Sequence, residues 1–374
     1  MSCIYIHIPF CKTRCIYCDF FSTTQLELRE QYVEAVCKEI EMTNKYLNGD
    51  TIHSIYFGGG TPSQLDTTQI GRILNTVQAH HSIVQNCETT IELNPDDVTS
   101  EYVESLSSLP VNRVSLGIQT FNDNTLRFIH RRHTSQQAID AVRLLQNHGF
   151  SNISIDLMFG FPGETLEDWQ NDIEHALQLG IQHISAYSLM YEEGTELYRL
   201  LSSQQIHEID EELSRNMYQT LMERLADAGF EHYEISNFAK PGYYSRHNSS
   251  YWNDTKYLGI GAGAHSYNGI IRQSNISNIK AYIDGIHEGM PKCDTEMLTR
   301  DQQYNETVMT RLRTSQGLNT DIIKKRFGTD YYNHLMTAAT PYYNIGLLKI
   351  DEGNLSLTPK GIYISNDIIA SLFV

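Results

Sequence analysis

Three cysteines crowd into eight residues near the start of the chain, in the sequence CKTRCIYC. They are Cys11, Cys15 and Cys18, and their spacing is C-x3-C-x2-C. Thiolates are the ligands that iron–sulfur clusters prefer, so these three can bind three irons of a cubane. Because the motif supplies no further ligand, one iron keeps an open position. The spacing therefore predicts a [4Fe–4S] cluster held by these three thiolates.

An open iron of this kind can bind a small molecule that takes part in the chemistry. The amino and carboxylate groups of S-adenosylmethionine are able to chelate it. The reduced cluster would transfer one electron to the sulfonium, whose bond between sulfur and the 5′ carbon would break to give methionine and a 5′-deoxyadenosyl radical that the protein positions and shields. S-adenosylmethionine is therefore the cofactor that we expect at the cluster.

A structural zinc site is the alternative for the same cysteines, with Cys3 or His7 as the last ligand. Zinc sites usually pair their ligands as two distant couples, which this spacing does not do, so the cluster is favoured. The chain has seven cysteines, an odd number that does not suit a disulfide framework. The isolated Cys37, Cys87 and Cys293 are expected to be buried thiols.

Short β-branched or aromatic runs alternate with amphipathic helical stretches over the first half of the chain. The predicted strands are Cys3–Ile8, Ser54–Phe57, Thr89–Leu93, Arg113–Gly117, Ile153–Met158 and His183–Ser188. Leu28–Tyr46 is the longest helical stretch, and Thr165 with Asp168 resembles a capping box. Strands that each precede a helix imply a parallel sheet, and these are too few to close an eight-stranded barrel. The fold class is therefore α/β, an open, partial (βα)6 TIM-like barrel with function at the carboxyl ends of its strands.

The pattern changes after about residue 290. The predicted elements are three helices and two strands: Asp301–Arg313, Thr320–Phe327, Tyr331–Tyr343, Leu347–Ile350 and Leu355–Leu357. Asp351–Asn354 forms the turn of a hairpin, and Pro359 follows the capping residue Thr358 at the start of a last helix. We therefore expect a core over residues 1–290 and a smaller helical domain with a β-wing over residues 291–374, which serves as a lid or packing domain.

The charge balance constrains the partners of the protein. The chain carries 45 acidic and 28 basic residues, for a net charge of −17. A protein that neutralises phosphates usually has the opposite balance, so nucleic acid is not an expected partner. The chain has no run of about 18 apolar residues, and its start, MSCIYIHIPF, lacks the features of a signal peptide. We expect a cytoplasmic protein without a transmembrane segment; transient contact with a membrane, and a monomeric or dimeric state, stay open.

The sequence YIHIPFCKTRCIYCDF closely resembles the coproporphyrinogen-oxidase-like branch of the radical S-adenosylmethionine superfamily. The resemblance continues in register through FGGGTPS, IELNP, RVSLGIQTFND, IDLMFGFPGET and SRHNSSYW, and it covers roughly residues 1 to 270. All of these motifs except the last fall at or beside a predicted strand end. The resemblance implies the radical SAM type of partial barrel, a [4Fe–4S] cluster and S-adenosylmethionine.

The same resemblance implies contacts to S-adenosylmethionine, or to a second such molecule. The residues concerned are Tyr5, Tyr17, Gly59, Gly60, Thr61, Gln119, Arg131 and Asp156. Glu92, at the end of a predicted strand, could separately hydrogen-bond a ribose or an ammonium group of the cofactor. Residue type alone allows other roles: the glycines suit a tight βα turn, the tyrosines suit a core, and the arginine suits a solvated helix. Glu92, Gln119 and Asp156 are polar groups in apolar settings, which must find partners if they are buried.

Two departures separate this chain from the genuine oxygen-independent coproporphyrinogen III oxidases. Phe20 replaces their additional nearby cysteine, and only two residues precede the first predicted strand, where those enzymes carry a further segment. The sequence HNSSYW instead resembles the H-N-x-x-Y-W signature of the HemW-type haem chaperones. The resemblance makes His247 a candidate ligand of haem iron, and Tyr251 and Trp252 candidates for stacking on the porphyrin. The alternative is a loop histidine whose hydrogen bonds are satisfied.

Three functions therefore stay open. The resemblance implies a chaperone that takes up haem as cargo and passes it to an acceptor, such as a respiratory haem protein. The alternative is an enzyme of porphyrin biosynthesis that oxidatively decarboxylates coproporphyrinogen III. Phe20 and the short start of the chain favour the chaperone, so we do not expect an active coproporphyrinogen III dehydrogenase. Radical chemistry on an unrelated substrate is the third.

Overall fold

A parallel sheet forms the centre of the computed structural model, which describes residues 2–374. Six parallel strands lie side by side in chain order: β1 (Ser2–Ile8), β2 (Ile52–Gly59), β3 (Ile83–Leu93), β4 (Arg113–Gln119), β5 (Ile153–Phe159) and β6 (His183–Ser188). Each strand predicted from the sequence lies within these bounds, so the predicted strands are confirmed. Most of their residues are buried, as is typical of parallel strands covered on both faces.

Helices follow these strands and cover the outside of the sheet. They are α1 (Arg29–Met42), α2 (Thr67–His80), α3 (Ser100–Ser107), α4 (Asp123–Phe128), α5 (Ser135–Asn147), α6 (Leu166–Gln178), α7 (Glu196–Ser202) and α8 (Glu211–Asp227). The capping box predicted at the start of α6 is confirmed, because the side chains of Thr165 and Asp168 each accept the other's backbone N–H. Among residues 2–374, no helix has both the length and the apolar character needed to cross a membrane.

The alternation of side chains along β1 separates the core from the interior of the barrel. Ile4, Ile6 and Ile8 are fully buried in the main hydrophobic cluster, together with apolar residues of α1. Tyr5 and His7 alternate with them and therefore point to the opposite face, into the barrel. The strand thus anchors the core with one face and supplies polar aromatic side chains to the interior with the other.

The sheet extends beyond the six predicted strands on both sides. The further elements are β7 (Glu231–Glu234), β8 (Asn237–Ala239), α9 (Arg246–Tyr251), β9 (Lys256–Ile260), β10 (His265–Tyr267), β11 (Ile271–Asn275), α10 (Ile279–His287) and β12 (Cys293–Met297). The strand order is β12-β11-β10-β9-β1-β2-β3-β4-β5-β6-β8-β7, with β9 parallel to β1. The expectation of six parallel strands is thereby corrected to seven, because β9, with five residues, is too short to show a periodic pattern. The barrel is open, as predicted.

The C-terminal part is helical and carries a small separate sheet. Its elements are α11 (Arg300–Leu312), β13 (Leu318–Asn319), α12 (Thr320–Phe327), α13 (Thr329–Asn344), β14 (Leu348–Asp351), β15 (Asn354–Leu357), α14 (Pro359–Ile362) and α15 (Ser365–Ser371). The predicted hairpin is confirmed, with Glu352 and Gly353 at positive φ in its two-residue turn. Thr358 caps the predicted helix by accepting the N–H of Gly361. The predicted fold, a partial α/β barrel with a smaller helical domain and β-wing, is confirmed.

Candidate iron–sulfur and cofactor site

The three cysteines lie on the loop that follows β1, which we call the cysteine loop (residues 9–23). The loop is closed at its base, because the N–H of Cys11 donates to the carbonyl of Thr23 (2.9 Å) and the N–H of Thr23 donates to the carbonyl of Pro9 (2.7 Å). Cys11, Cys15 and Cys18 are partly exposed. Burial raises the pKa of the Cys11 thiol, and it raises the pKa of Cys18 to about 11. Thiols of this kind lose their proton when a metal compensates the charge, so they are suited to metal binding.

The donor set fits an iron–sulfur cluster better than a single zinc ion. The residues that could complete a zinc site are engaged elsewhere, because the Cys3 thiol donates to Ser250 Oγ at 3.0 Å. The His7 ring contacts the Tyr5 hydroxyl at 3.1 Å and donates to the carbonyl of Phe21 at 3.0 Å. Within residues 2–374, no three His, Cys, Asp or Glu side chains converge on one point to hold a single ion. Three thiols on one loop, without Cys3 or His7, match the ligands of a cubane with an open iron.

The remaining cysteines differ in their exposure. The prediction of a buried thiol is right for Cys87, while Cys37 is only partly buried. The prediction is wrong for Cys293, which is exposed. The reason is that Cys293 begins β12, the edge strand of the sheet, in which every residue is exposed.

The turn after β2 brings glycine backbone against the cysteine loop. Gly59 has a φ of +109°, and a Cβ there would lie 2.4 Å from the ring of His7. A Cβ on Gly60 would lie 2.8 Å from the backbone of the cysteine loop. The turn sets the hydroxyl of Thr61 at 3.4 Å from Cys11 Sγ. Close packing by itself explains these glycines, and it places the predicted cofactor contacts Gly59, Gly60 and Thr61 beside the first cysteine.

Two partly buried carboxylates face the interior from β3 and β5. Glu92 accepts hydrogen bonds from the Tyr56 hydroxyl (2.8 Å) and from the N–H of Gly59 (3.2 Å). Burial, and then the charge of Asp156, raise the pKa of Glu92 to about 7. Asp156 accepts a hydrogen bond from Ser115 Oγ at 3.3 Å, and burial raises its pKa to about 6. The pair can therefore bind hydroxyl groups, or ionise fully when a cation arrives.

Arg131 and Gln119 complete this edge of the sheet. Arg131 Nη1 lies 3.7 Å from Cys15 Sγ, and Nη2 donates to Asn94 Oδ1 and to the carbonyl of Gly117. This side chain is therefore directed into the site, unlike the solvated helix charge that residue type alone allowed. Gln119 ends β4 with a φ of +72°, a conformation that non-glycine residues rarely adopt and that clusters at functional sites.

Asp97 joins the cysteine loop to the end of β3, and sequence reasoning missed it. Its carboxylate accepts hydrogen bonds from Lys12 Nζ at 2.7 Å and from Ser63 Oγ at 2.9 Å. Arg132 also pairs with it, at 3.5 Å. The side chain of Asp97 is only 4% exposed, so these charge-assisted bonds hold the loop firmly. The two aspartates that follow IELNP were the available signal in the sequence.

The predicted haem ligand His247 is not in a loop. It lies on α9 and is only 1% exposed. Its Nδ1 lies 2.9 Å from Ser54 Oγ, its Nε2 lies 3.0 Å from the Tyr251 hydroxyl, and its ring stacks on Tyr56 with centroids 4.9 Å apart. Burial, and then the charge of Arg113, lower the pKa of His247 to about 3, so the ring is neutral. The structure thus favours the alternative of a histidine whose hydrogen bonds are satisfied, because both ring nitrogens are engaged within the protein.

The helix α9 closes the barrel at the end opposite the cysteines. Ser54, which contacts His247, lies near the amino end of β2. Glu88 accepts the N–H of His247 at 3.0 Å and lies near the start of the buried part of β3. Trp252 follows the helix, and its buried indole Nε1 has no hydrogen-bond partner among the described residues. His247 and Trp252 therefore stand together at the closed end.

The two predicted tyrosine contacts have different surroundings. Tyr5 contacts His7 through its hydroxyl and stacks on Tyr56, with ring centroids 6.2 Å apart. Tyr17 packs against a small apolar cluster that includes Ile129 and Phe161. Tyr5 thus borders the barrel interior, whereas Tyr17 lies between this apolar cluster and Cys15.

A cavity of about 740 Å³ extends from the cysteine loop along β1 towards α9. We call it the β1–β9 cavity, and its lining residues are Tyr5, His7, Arg14, Asp19, Phe20, Phe21, Ser22, Tyr251, Tyr257, Gly263, His265 and Ser277. Neither His247 nor Trp252 is among them. Sequence reasoning missed His265, although the alternating glycines of GIGAGAH, residues 259–265, were a visible signal of tightly packed backbone.

Comparison with known proteins identifies two protein families that match parts of this chain. Residues 5–176 match the Radical SAM superfamily, and residues 298–364 match the HemN C-terminal domain. The chain is 34% identical to the heme chaperone HemW of Bacillus subtilis over 374 residues, which cover 99% of each protein. It is also 34% identical to the heme chaperone HemW of Lactococcus lactis over 365 residues, which cover 97% of this chain and 95% of the relative.

The fold also matches a solved structure over the whole chain. The coproporphyrinogen III oxidase HemN from Escherichia coli, a radical SAM enzyme, superposes with a TM-score of 0.86 and covers 100% of this chain and 90% of its own. The sequence identity is 22%, so the match concerns the fold.

Proposed function

The chain belongs to the HemW family of the radical S-adenosylmethionine superfamily, and on this premise we propose that it is a haem chaperone. It would hold a [4Fe–4S] cluster, bind S-adenosylmethionine and haem, and deliver haem to an acceptor protein. The observation that supports this best is the position of three thiols on one loop, with Arg131 in contact with Cys15 and the Glu92–Asp156 pair at the same edge of the sheet. Haem as the cargo is supported by relatives of the same length that are named heme chaperones.

The cluster and S-adenosylmethionine, when bound, supply one-electron radical chemistry. Cys11, Cys15 and Cys18 would hold the cluster, and the loop that carries them is fixed by the bond from Lys12 to Asp97. Arg131 would stabilise the negative charge of the thiolates, because its guanidinium already donates to a cysteine sulfur. These residues keep the loop in place when solvent or cargo approaches.

The residues at the ends of β2 to β5 would bind S-adenosylmethionine. This ligand carries a sulfonium cation, which Glu92 and Asp156 are placed to offset as they ionise. Gly59, Gly60 and Thr61 would border its methionine part, and Gln119 would offer an amide at the end of β4. The role of the carboxylates is thus to hold the cation and to couple its binding to proton release.

A coproporphyrinogen III oxidase is the less favoured function. Phe20 stands where those enzymes carry a further cysteine, and its side chain is 63% exposed. The likeness to a solved oxidase concerns the fold alone, since the identity is low. The acidic chain, with a net charge of −17, argues against nucleic acid as a partner.

We further propose that the chain forms two units, as predicted for residues 1–290 and 291–374, with β12 (Cys293–Met297) joining the first unit because it pairs with β11 in the central sheet. The main hydrophobic cluster ends at Ile286, and a second cluster begins at Tyr304 and ends at Leu372. Each unit therefore has its own core, as an independent domain requires.

A haem titration and an oxidase assay on one anaerobically reconstituted sample test the proposed function. We expect haem to bind with a Kd on the order of 1 µM and to transfer to an apo-haem protein whose Soret band differs. We expect no conversion of coproporphyrinogen III with reductant and S-adenosylmethionine. Failure to bind haem at about 100 µM would contradict the chaperone, and turnover at about 1 per second would establish the oxidase instead.

A further inference from the structure

The β1–β9 cavity has the size and the walls of a site for a flat aromatic ligand. Its volume of about 740 Å³ falls within the range of roughly 300–1,000 Å³ typical of small-molecule sites. Phe20, Phe21, Tyr251 and Tyr257 line it, so apolar aromatic surface is available to a planar macrocycle. The cavity begins at the cysteine loop, which would bring such a ligand close to the proposed cluster.

His265 is the available imidazole of this cavity. The other histidine of its lining, His7, contacts Tyr5 with one ring nitrogen and the carbonyl of Phe21 with the other. The ring of His265 makes no hydrogen bond to another residue of the described chain, and the residue is exposed. A neutral imidazole with a free nitrogen is a common ligand of haem iron. His265 therefore has a ring nitrogen free to bind haem iron, whereas both ring nitrogens of His247 are engaged.

The backbone that carries His265 is held rigidly. A Cβ on Gly259 would lie 2.0 Å from the carbonyl oxygen of His265, so the two strands approach as closely as glycine permits. The buried carboxylate of Glu39 accepts the N–H of Gly261 at 2.8 Å and the amide N–H of Asn275 at 2.6 Å. This network fixes the turn between β9 and β10, which favours a preorganised ligand over a mobile one.

The charges of the lining fix an orientation for an anionic ligand. Arg14 is the arginine of the lining, which holds no lysine, and Asp19 is its carboxylate. Haem propionates would be attracted to the first and repelled by the second. Both residues are exposed and belong to the cysteine loop, so the propionate edge would lie on that side of the cavity.

We propose that the β1–β9 cavity is the haem site, with His265 as the ligand of the iron and Arg14 as the partner of a propionate. This inference rests on the proposed chaperone function and names the residues that would carry it. His247 then supports the cavity indirectly, through the Tyr251 hydroxyl that it contacts.

The test is a haem titration of the reconstituted full chain, read as a difference spectrum against the same cluster-loaded protein without haem. His265→Ala should shift the Soret band and weaken haem binding about tenfold or more, and added imidazole should restore the band. His287→Ala, on the exposed side of α10, is the matched control and should behave as wild type. Where His265→Ala does not fold, His265→Gln gives the same comparison. Iron and sulfide content should be equal in all variants.

A second variant tests the orientation of the ligand. Arg14→Gln should weaken the binding of haem several-fold while leaving the binding of haem dimethyl ester unchanged, because the ester has no carboxylate to pair with. Equal losses for both ligands would overturn the role of Arg14. If wild type binds haem and His265→Ala keeps its spectrum and affinity, the site proposed here is wrong while the chaperone function stands. If wild type binds no haem, the chaperone function itself fails.

Discussion

The guanidinium of Arg131 donates to the sulfur of Cys15, with 3.7 Å between Nη1 and Sγ. The same side chain is fixed from its other side, because Nη2 donates to Asn94 and to the carbonyl of Gly117. The two residues are 116 positions apart in the sequence. They meet because Arg131 follows β4 and Cys15 follows β1 at the same edge of a parallel sheet. A cation held at this position stabilises negative charge on the sulfur.

We expect Arg131→Gln to lower the reduction potential of the reconstituted cluster. Reduction adds negative charge to the cluster, and a cation and a hydrogen bond at a ligand sulfur both stabilise the reduced form. The variant removes both, so the reduced form should become less stable. A redox titration followed by electron paramagnetic resonance measures the change. Arg132→Gln is the control, since this neighbour pairs with Asp96 at 2.6 Å rather than with sulfur. Equal potentials in wild type and Arg131→Gln would contradict the role assigned to the arginine.

The long strands and the cysteine loop could be predicted from the sequence, whereas the short elements and the residues that contact them could not. Strands such as β1 have seven residues with isoleucine at every second position, whereas β9 and β10 have only five and three residues. The helix α9 has six residues and no apolar stripe, so it resembled a loop and His247 resembled an available ligand. Contacts such as Lys12 with Asp97 depend on which strand ends adjoin, which only the folded sheet determines.

The cysteine assignment predicts which thiols the cluster requires. Anaerobically reconstituted wild type should bind about four irons and four sulfides per chain. Cys11→Ala, Cys15→Ala and Cys18→Ala should each lose this content, because a cubane with two protein ligands is not held. Cys293→Ala, whose thiol is exposed on β12, should retain it and serves as the control. Iron and sulfide analysis with the absorption spectrum gives the result; stoichiometric zinc in place of iron would contradict the assignment.

The raised pKa of Glu92 predicts a pH-dependent affinity for S-adenosylmethionine. The carboxyl has a pKa of about 7 in the free protein, and a bound cation favours its ionised form, so binding releases a proton below that pH. The affinity should therefore rise several-fold from pH 6 to pH 8 and level off above, as measured by calorimetry on cluster-loaded protein. Glu92→Gln should bind more weakly and lose most of this slope, whereas the exposed Glu104→Gln should keep it. An unchanged slope in Glu92→Gln would assign the proton to another group.

The oxidase alternative predicts an activity that we do not expect to find. Under anaerobic conditions in which the Escherichia coli HemN converts coproporphyrinogen III, this chain should give no protoporphyrinogen IX, because Phe20 replaces a cysteine of those enzymes. The product can be measured by fluorescence after oxidation, with the HemN sample as the positive control. Turnover at a comparable rate would reverse the choice between the two functions.

The burial of His247 predicts that this residue acts on stability rather than on haem. Replacing it by Ala leaves a cavity beside Tyr56 and removes partners from Ser54 and Tyr251, so the free energy of unfolding at pH 7.5 should fall by about 3 kcal/mol. The pKa of His247 is about 3 in the folded chain, below its ordinary value, so its contribution to stability is present above pH 6.5 and is lost as the pH falls. The destabilisation by His247→Ala should therefore shrink by about 2 kcal/mol between pH 7.5 and pH 5. Urea unfolding of wild type, His247→Ala and the exposed control His287→Ala at both pH values measures this difference. A Soret shift in folded His247→Ala, with stability unchanged, would instead restore His247 as the ligand of haem iron.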